Sequence, residues 1–205
     1  EVVASSDGGL GALGAAIDKG ASDEDLFKEP PPNDECPICM LTMPIRAEGH
    51  KYQECCGKTL CAGCIYADFT ENNRLLCPFC RTPAATSDRE KIKMLKKRVD
   101  ADDADAIFQL GCYYRDGKFG LRQDHEKASE LFLRAGELGN AMAYNILASS
   151  YYLGRGVESD EKKATYYFEI AAMRGNMQAR HCLGVFEEGD GNLNRAVKHY
   201  MISAS

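Results

Sequence analysis

The sequence predicts a small metal-stabilised α+β domain joined to an all-α helical-repeat solenoid. Two observations carry that prediction. Eight of the ten cysteines fall within the 45 residues from Cys36 to Cys80, most of them in Cys-x-x-Cys pairs. Beyond residue 100, an apolar pattern of helical spacing returns after 36 or 37 residues, an interval that marks stacked helix pairs.

The cysteine stretch reads CPICMLTMPIRAEGHKYQECCGKTLCAGCIYADFTENNRLLCPFC. It holds the pairs Cys36/Cys39, Cys61/Cys64 and Cys77/Cys80, and the adjacent couple Cys55 and Cys56. A two-residue gap lets both thiolates of a pair close on one ion, so eight thiols suffice for two tetrahedral four-thiolate zinc sites. A secreted disulfide scaffold fits less well, because the 125 residues after Cys80 are helical in pattern and hold only Cys112 and Cys182. A reducing compartment, cytoplasm or nucleus, is expected.

This spacing resembles the RING finger family, whose two zinc ions are held in a cross-brace. The resemblance implies that Cys36, Cys39, Cys61 and Cys64 share one structural zinc, and Cys55, Cys56, Cys77 and Cys80 the other. Where the commonest RING pattern has Cys-Gly-His, this chain has Cys56-Gly57-Lys58. A lysine ammonium is no ligand at neutral pH. Cys55 supplies the missing donor most simply, giving an all-cysteine variant, and His50 is the alternative. A PHD finger usually carries a histidine ligand and a tryptophan, and this chain has no tryptophan. The basic cluster of FYVE domains is also missing.

Four residues match positions where RING ligases touch a ubiquitin-conjugating enzyme: Ile38, Pro78, Phe79 and Arg81. The resemblance implies that the first three form a shallow docking groove. Arg81, directly after the last ligand, would clamp ubiquitin against the enzyme through its planar donors. The plainer alternative is that Ile38 and Phe79 pack the knuckles and Arg81 is a surface charge.

Residues 1–35 hold nine acids and two bases, a net of −7 against −6 for the whole chain. With a proline triplet and few large apolar groups, the segment reads as a disordered acidic tail, with at most a transient helix over Gly8–Ile17. The chain opens on Glu1 and reads as a fragment. The metal domain is expected over 36–82, with a loop of partly extended structure over Met40–Gln53 and a short helix over Ala62–Asn72. Residues 83–102 form a linker carrying a basic amphipathic helix. Ser87-Asp88-Arg89-Glu90 has the form of a capping box, and Ile92, Leu95 and Val99 make the apolar stripe of a helix ending near Val99. The opposite side, Arg89, Lys91, Lys93, Lys96, Lys97 and Arg98, reads as a solvated face. Without interleaved aromatics, and in a folded part that is nearly neutral, it argues against a nucleic-acid partner.

Residues 103–205 read as three repeats, over 103–140, 141–176 and 177–205. Ile107-x-x-Leu110-Gly111-x-x-Tyr114 returns as Tyr144-x-x-Leu147-Ala148-x-x-Tyr151. Ala128-x-x-Leu131-Phe132-x-x-Ala135 returns as Ala164-x-x-Tyr167-Phe168-x-x-Ala171. Asp124 and Asp160 suit helix N-caps, and Gly139-Asn140 and Gly175-Asn176 suit left-handed helix ends. A third unit follows through Ala179, Leu183, Gly184, Ala196 and Tyr200, with an inter-helix loop four residues shorter. The Leu-Gly, Lys-Ala and closing Gly-Asn signals, densest in YYLGRGVESDEKKATYYFEIAAMRGN, resemble Sel1-like repeats, relatives of the tetratricopeptide repeat. His125, His181 and His199, like Cys112 and Cys182, have no neighbouring ligand or catalytic group in the sequence.

No run of 18 apolar residues exists, so no membrane span is expected. The two resemblances together imply a RING-type ubiquitin ligase whose repeats hold a substrate or an adaptor. The rival expectation is a non-catalytic zinc-binding scaffold.

Overall fold

The computed structural model describes residues 20–32, 34–43, 49–72 and 76–204. The chain divides into two compact units, Pro31–Ala143 and Glu1–Pro30 with Tyr144–Ser205. The transient helix expected over Gly8–Ile17 lies outside the described residues.

The first unit opens with the cysteine stretch. Strand β1 (His50–Gln53) pairs antiparallel with β2 (Lys58–Cys61), Tyr52 facing Thr59, and helix α2 (Ala62–Asn72) follows at once. Tyr52 and Leu60 are buried, so the hairpin has one inner face. Isolated bridges between Glu35 and Thr42 and between Leu76 and Pro83 close the two flanking knuckles. Of the stretch expected to be loop, the last four residues are β1; residues 44–48, with Pro44, lie outside the described residues.

Helix α3 (Asp88–Val99) starts on Ser87, whose hydroxyl accepts the Glu90 N–H at 3.2 Å. The reciprocal half of the box is displaced by one residue: Glu90 accepts the Thr86 N–H at 2.8 Å and its hydroxyl at 3.0 Å. Ile92, Leu95 and Val99 are buried, while Arg89, Lys93, Lys96 and Lys97 are exposed. Lys91 and Arg98 are engaged inside the unit. Lys91 lies 3.1 Å from Glu54 and 4.3 Å over the Phe119 ring. Arg98 pairs with Asp103 at 2.9 Å. Asp103 also accepts the Tyr52 hydroxyl at 2.9 Å and the Ala106 N–H at 3.1 Å. One carboxylate therefore ties the hairpin, α3 and the start of α4 (Ala104–Asp116). Helix α5 (His125–Glu137) begins on Asp124, which accepts the Lys127 N–H at 3.0 Å. It packs on α4, where a methyl group on Gly111 would stand 2.8 Å from the buried Phe132 ring.

The second unit contains α6 (Ala141–Leu153) from Tyr144 onward, α7 (Glu161–Met173), α8 (Met177–Gly189) and α9 (Leu193–Ala204). Helices α4 and α6 start 37 residues apart, α5 and α7 36 apart, and α7 and α9 only 32 apart. The last interval reflects the three-residue connection Asp190–Asn192. The Leu131 position of the first repeat is Tyr167 in the second, stacked against Tyr144 at 5.7 Å and Tyr151 at 5.6 Å. Gly184 meets Tyr200 as Gly111 meets Phe132. Gly139 and Gly175 carry positive φ, as their helix-ending role requires. Asn140 and Asn176 do more than close a repeat. Their side chains accept the N–H of Ala143 and Ala179, both at 2.8 Å, capping the next helix.

Within the segment read as a disordered tail, residues 21–28 are packed. Asp23–Leu26 form a short helix, α1, capped by Ser22, and Leu26 is fully buried in the second unit. The acidic composition hides two adjacent large apolar residues, Leu26 and Phe27, and those are what dock. Among the described residues, no helix is long and apolar enough to cross a membrane.

Candidate metal centre

The hairpin decides which thiols meet. Cys55 and Cys56 sit at its turn, Cys61 ends β2, and Cys64 lies in the first turn of α2. Successive pairs along the chain are thereby sent alternately to two places. Cys36, Cys39, Cys61 and Cys64 form one group, and Cys55, Cys56, Cys77 and Cys80 the other, each with its four sulfurs within 4.8 Å of one another. In the first group Cys36 Sγ is 3.9 Å from Cys64 Sγ, and Cys39 Sγ 3.8 Å from Cys61 Sγ. In the second, Cys56 Sγ is 3.9 Å from Cys77 Sγ, and Cys80 Sγ 3.4 Å from Cys55 Sγ. Sulfurs bonded at about 2.3 Å to a tetrahedral ion stand about 3.8 Å apart. Both groups could hold a metal ion.

Backbone geometry favours the charged sulfurs such an ion needs. The Cys61 N–H reaches Cys36 Sγ at 3.5 Å and the Cys64 N–H reaches Cys61 Sγ at 3.4 Å. Burial pushes the Cys36 thiol up, but donors from Cys61, Cys39 and Ile38 outweigh it and hold the group down at about 6. For Cys80 burial is likewise outweighed, here by the Thr82 hydroxyl and backbone, again giving about 6. Burial and neighbouring sulfurs push Cys64 up to about 12, Cys56 to about 11, and Cys55 upward as well. The readily ionised Cys36 thus stands beside a raised Cys64, and the readily ionised Cys80 beside raised Cys55 and Cys56, a balance that a central cation reverses.

The two outer knuckles are built alike. The Cys36 N–H donates to Leu41 O and the Met40 N–H to Cys36 O; the Cys77 N–H donates to Thr82 O and the Arg81 N–H to Cys77 O. Met40 and Arg81, four residues after the first cysteine of each knuckle, both have left-handed backbones, φ 57° and 61°. The Arg81 guanidinium meets Asp68 on α2 at 2.8 Å. Ile38 and Phe79 are comparably exposed, at 42% and 43%, and Pro78 is half-buried. A cleft of about 260 Å³ lies beside the second group, lined by Pro78, Phe69, Ile65, Leu76, Pro83 and Met94 among others. Pro78 lines it; Ile38 and Phe79 do not. His50 lies in β1 with its Nδ1 buried and unpartnered among the described residues, and it belongs to neither thiol group.

Sequence reasoning missed Asp68, which meets Arg81 only because α2 folds back over thirteen residues. It also missed the exposed Met40 and Leu41 beside the first knuckle. Their signal was present: two large apolar residues directly after a metal pair, with no helical or strand period to bury them.

The Sel1 repeat family model matches residues 104–140 and 141–176. Residues 104–176 are two Sel1 repeats. Helices α8 and α9 follow beyond the matched residues. The chain is 35% identical over 91 residues to the ERAD-associated E3 ubiquitin-protein ligase component HRD3B of Arabidopsis thaliana, covering 41% of this chain. It is 36% identical over 83 residues to HRD3A of the same plant, covering 38%. These matches span only 15% and 12% of the two relatives. A crystal structure of a Sel1 repeat protein from Oxalobacter formigenes superposes with a TM-score of 0.54 at 28% identity, over 59% of this chain and 51% of that one. The protective antigen c5321 of uropathogenic Escherichia coli, which displays an SLR fold, superposes at 0.55 and 22% identity, over 68% and 28%, a likeness of fold.

Proposed function

We propose that the chain is a RING-type ubiquitin ligase, with two structural zinc ions, whose repeats hold a protein substrate or an adaptor. The observation that carries the reading is the interleaving of two four-thiol groups through one hairpin. Zinc suits eight sulfurs at this spacing, and with four thiolates on each ion no coordination position is left for water, so its role is structural. Ile38, Pro78 and Phe79 dock the ubiquitin-conjugating enzyme, and Arg81 holds its ubiquitin thioester ready for attack by a substrate lysine. No covalent intermediate forms on this chain. A thiol-rich site kept reduced suits the cytoplasm or nucleus.

Self-ubiquitylation of the zinc-loaded chain against a panel of conjugating enzymes tests this. Product that Ile38→Ala abolishes without loss of zinc supports the ligase. Silence across the panel, with two zinc ions bound, supports the second reading, a non-catalytic adaptor. That reading is favoured by the relatives, which are named as components of a ligase and not as the ligase itself.

A further inference from the structure

The second unit holds an unusual pair of buried polar side chains. Arg180 on α8 and His199 on α9 are both fully buried. Among the described residues Arg180 has no carboxylate ion-pair partner; its guanidinium donates to the backbone carbonyls of Leu26 at 2.5 Å and Lys28 at 3.4 Å. His199 packs at a tilt of 49° against the Phe27 ring with centroids 4.7 Å apart, and neither of its ring nitrogens has a partner among the described residues. A repeat surface that buries an arginine this way is completed by the segment lying on it.

Every contact of that segment has the character of peptide recognition. Glu169 on α7, itself buried, accepts the Ala21 N–H at 2.8 Å. Arg195 on α9 pairs with Asp23 in the first turn of α1 and is itself held by Glu187 at 2.7 Å. Leu26 fills an apolar site and is 1% exposed. Phe27 lies on His199, with Lys198 5.0 Å and Arg195 5.6 Å from its ring centroid. Arg180 takes the carbonyl end of the turn, where a cation is favoured. Spacing, charge and direction are all read: an acid at one end, leucine and an aromatic residue three and four positions later, and free carbonyls at the other end.

We infer that α7, α8 and α9 form a groove for a one-turn helical peptide with an acid, then leucine and an aromatic residue three and four positions on, and that residues 21–28 occupy it in cis until a partner protein bearing such a segment displaces them. The inference rests on the protein-binding part of the reading above and not on ubiquitin transfer, so the two fail separately. The same groove residues serve both occupants, so the partner competes with the chain's own strap. The strap's affinity sets the threshold a partner must exceed.

The test uses the full chain and a fluorescent peptide of its residues 19–30, followed by anisotropy. Asp23→Arg, Leu26→Ser and Phe27→Ala together empty the groove without touching it. This variant is expected to bind the peptide saturably, at least about tenfold more tightly than the unaltered chain does. A peptide with Leu26→Ser and Phe27→Ala is expected not to bind. Arg195→Asp in the triple variant is expected to abolish binding of the native peptide and restore it for a peptide carrying Asp23→Arg. Absence of binding by the folded triple variant, or equal binding by both chains, overturns the proposal. Should the triple variant not fold, amide exchange at Ala21 in the unaltered chain decides: acceleration by millimolar peptide supports displacement, and no change overturns it.

Discussion

Cys80 Sγ lies 3.4 Å from Cys55 Sγ, although 25 residues separate them. The turn between β1 and β2 turns Cys55 toward the second thiol group and leaves His50 in the strand. If the two thiol groups hold zinc as proposed, Cys55→Ser is expected to lower bound zinc from two ions per chain to about one, whereas His50→Ala keeps two. Metal analysis after gel filtration, with thiol titration in parallel, checks both. Retention of two ions by Cys55→Ser together with loss in His50→Ala would reverse the assignment.

Arg81 combines a left-handed backbone with an ion pair to Asp68. A glycine relieves backbone strain at such a φ, so Arg81→Gly is expected to leave zinc content and thermal stability unchanged or slightly raised. If the guanidinium clamps ubiquitin, the same variant loses charge-assisted hydrogen bonds of about 1.5–3 kcal/mol, roughly a 10- to 100-fold fall in transfer rate. Discharge of a ubiquitin-loaded conjugating enzyme onto free lysine measures the rate. An unchanged rate would leave Arg81 a surface charge.

Different parts of this architecture were legible in the sequence to different degrees, for physical reasons. The repeats were legible because burial by stacked helices imposes apolar residues at every turn. Ala128, Phe132 and Ala135 are all buried, as are Ala164, Phe168 and Ala171. The gathering of the thiols was legible because paired cysteines two residues apart bring their sulfurs together locally. The engagement of residues 20–28 was not. Leu26 and Phe27 show no period, their partners Arg180 and His199 lie more than 150 positions away, and the surrounding acids look solvated. The split roles of Asn140 and Asn176, ending one repeat while capping the next helix, were also hidden, since one Asn suits both tasks.

Gly111 and Gly184 occupy the same position in two repeats but differ in what surrounds them. Replacing a mid-helix glycine by alanine ordinarily stabilises by about 1 kcal/mol. At Gly111 the added carbon would meet the Phe132 ring at 2.8 Å, and that ring is 1% exposed with nowhere to move. Gly111→Ala is expected to destabilise by about 1–3 kcal/mol. At Gly184 the clash with Tyr200 is closer, 2.5 Å, but that ring is only half-buried. It can swing outward, giving up its 2.9 Å hydrogen bond to Glu188, so Gly184→Ala is expected to cost less. Urea melts of the two variants rank them; a larger loss at Gly184 would contradict the argument.

His199 makes the second unit sensitive to acid. Burial, aided by the Arg180 cation and opposed by Glu187, pulls its pKa from 6.5 down to about 4. Arg195 adds to the lowering and Asp23 opposes it. The folded state thus keeps the ring neutral where the unfolded chain would protonate it. The stability associated with the neutral ring is whole above pH 6.5, falls as the pH drops below that value, and is lost in full below about 4. The difference amounts to at most about 3 kcal/mol. Urea midpoints between pH 7 and pH 4, compared with those of His199→Leu, isolate this contribution, because leucine cannot titrate. The unaltered chain is expected to lose more stability than the variant across that window. Amide exchange should show the loss concentrated in α8, α9 and residues 21–28, where the charged ring would meet Arg180 and Phe27. Parallel curves for the two proteins would mean that the ring is solvated when it titrates, and that Phe27 does not seal it.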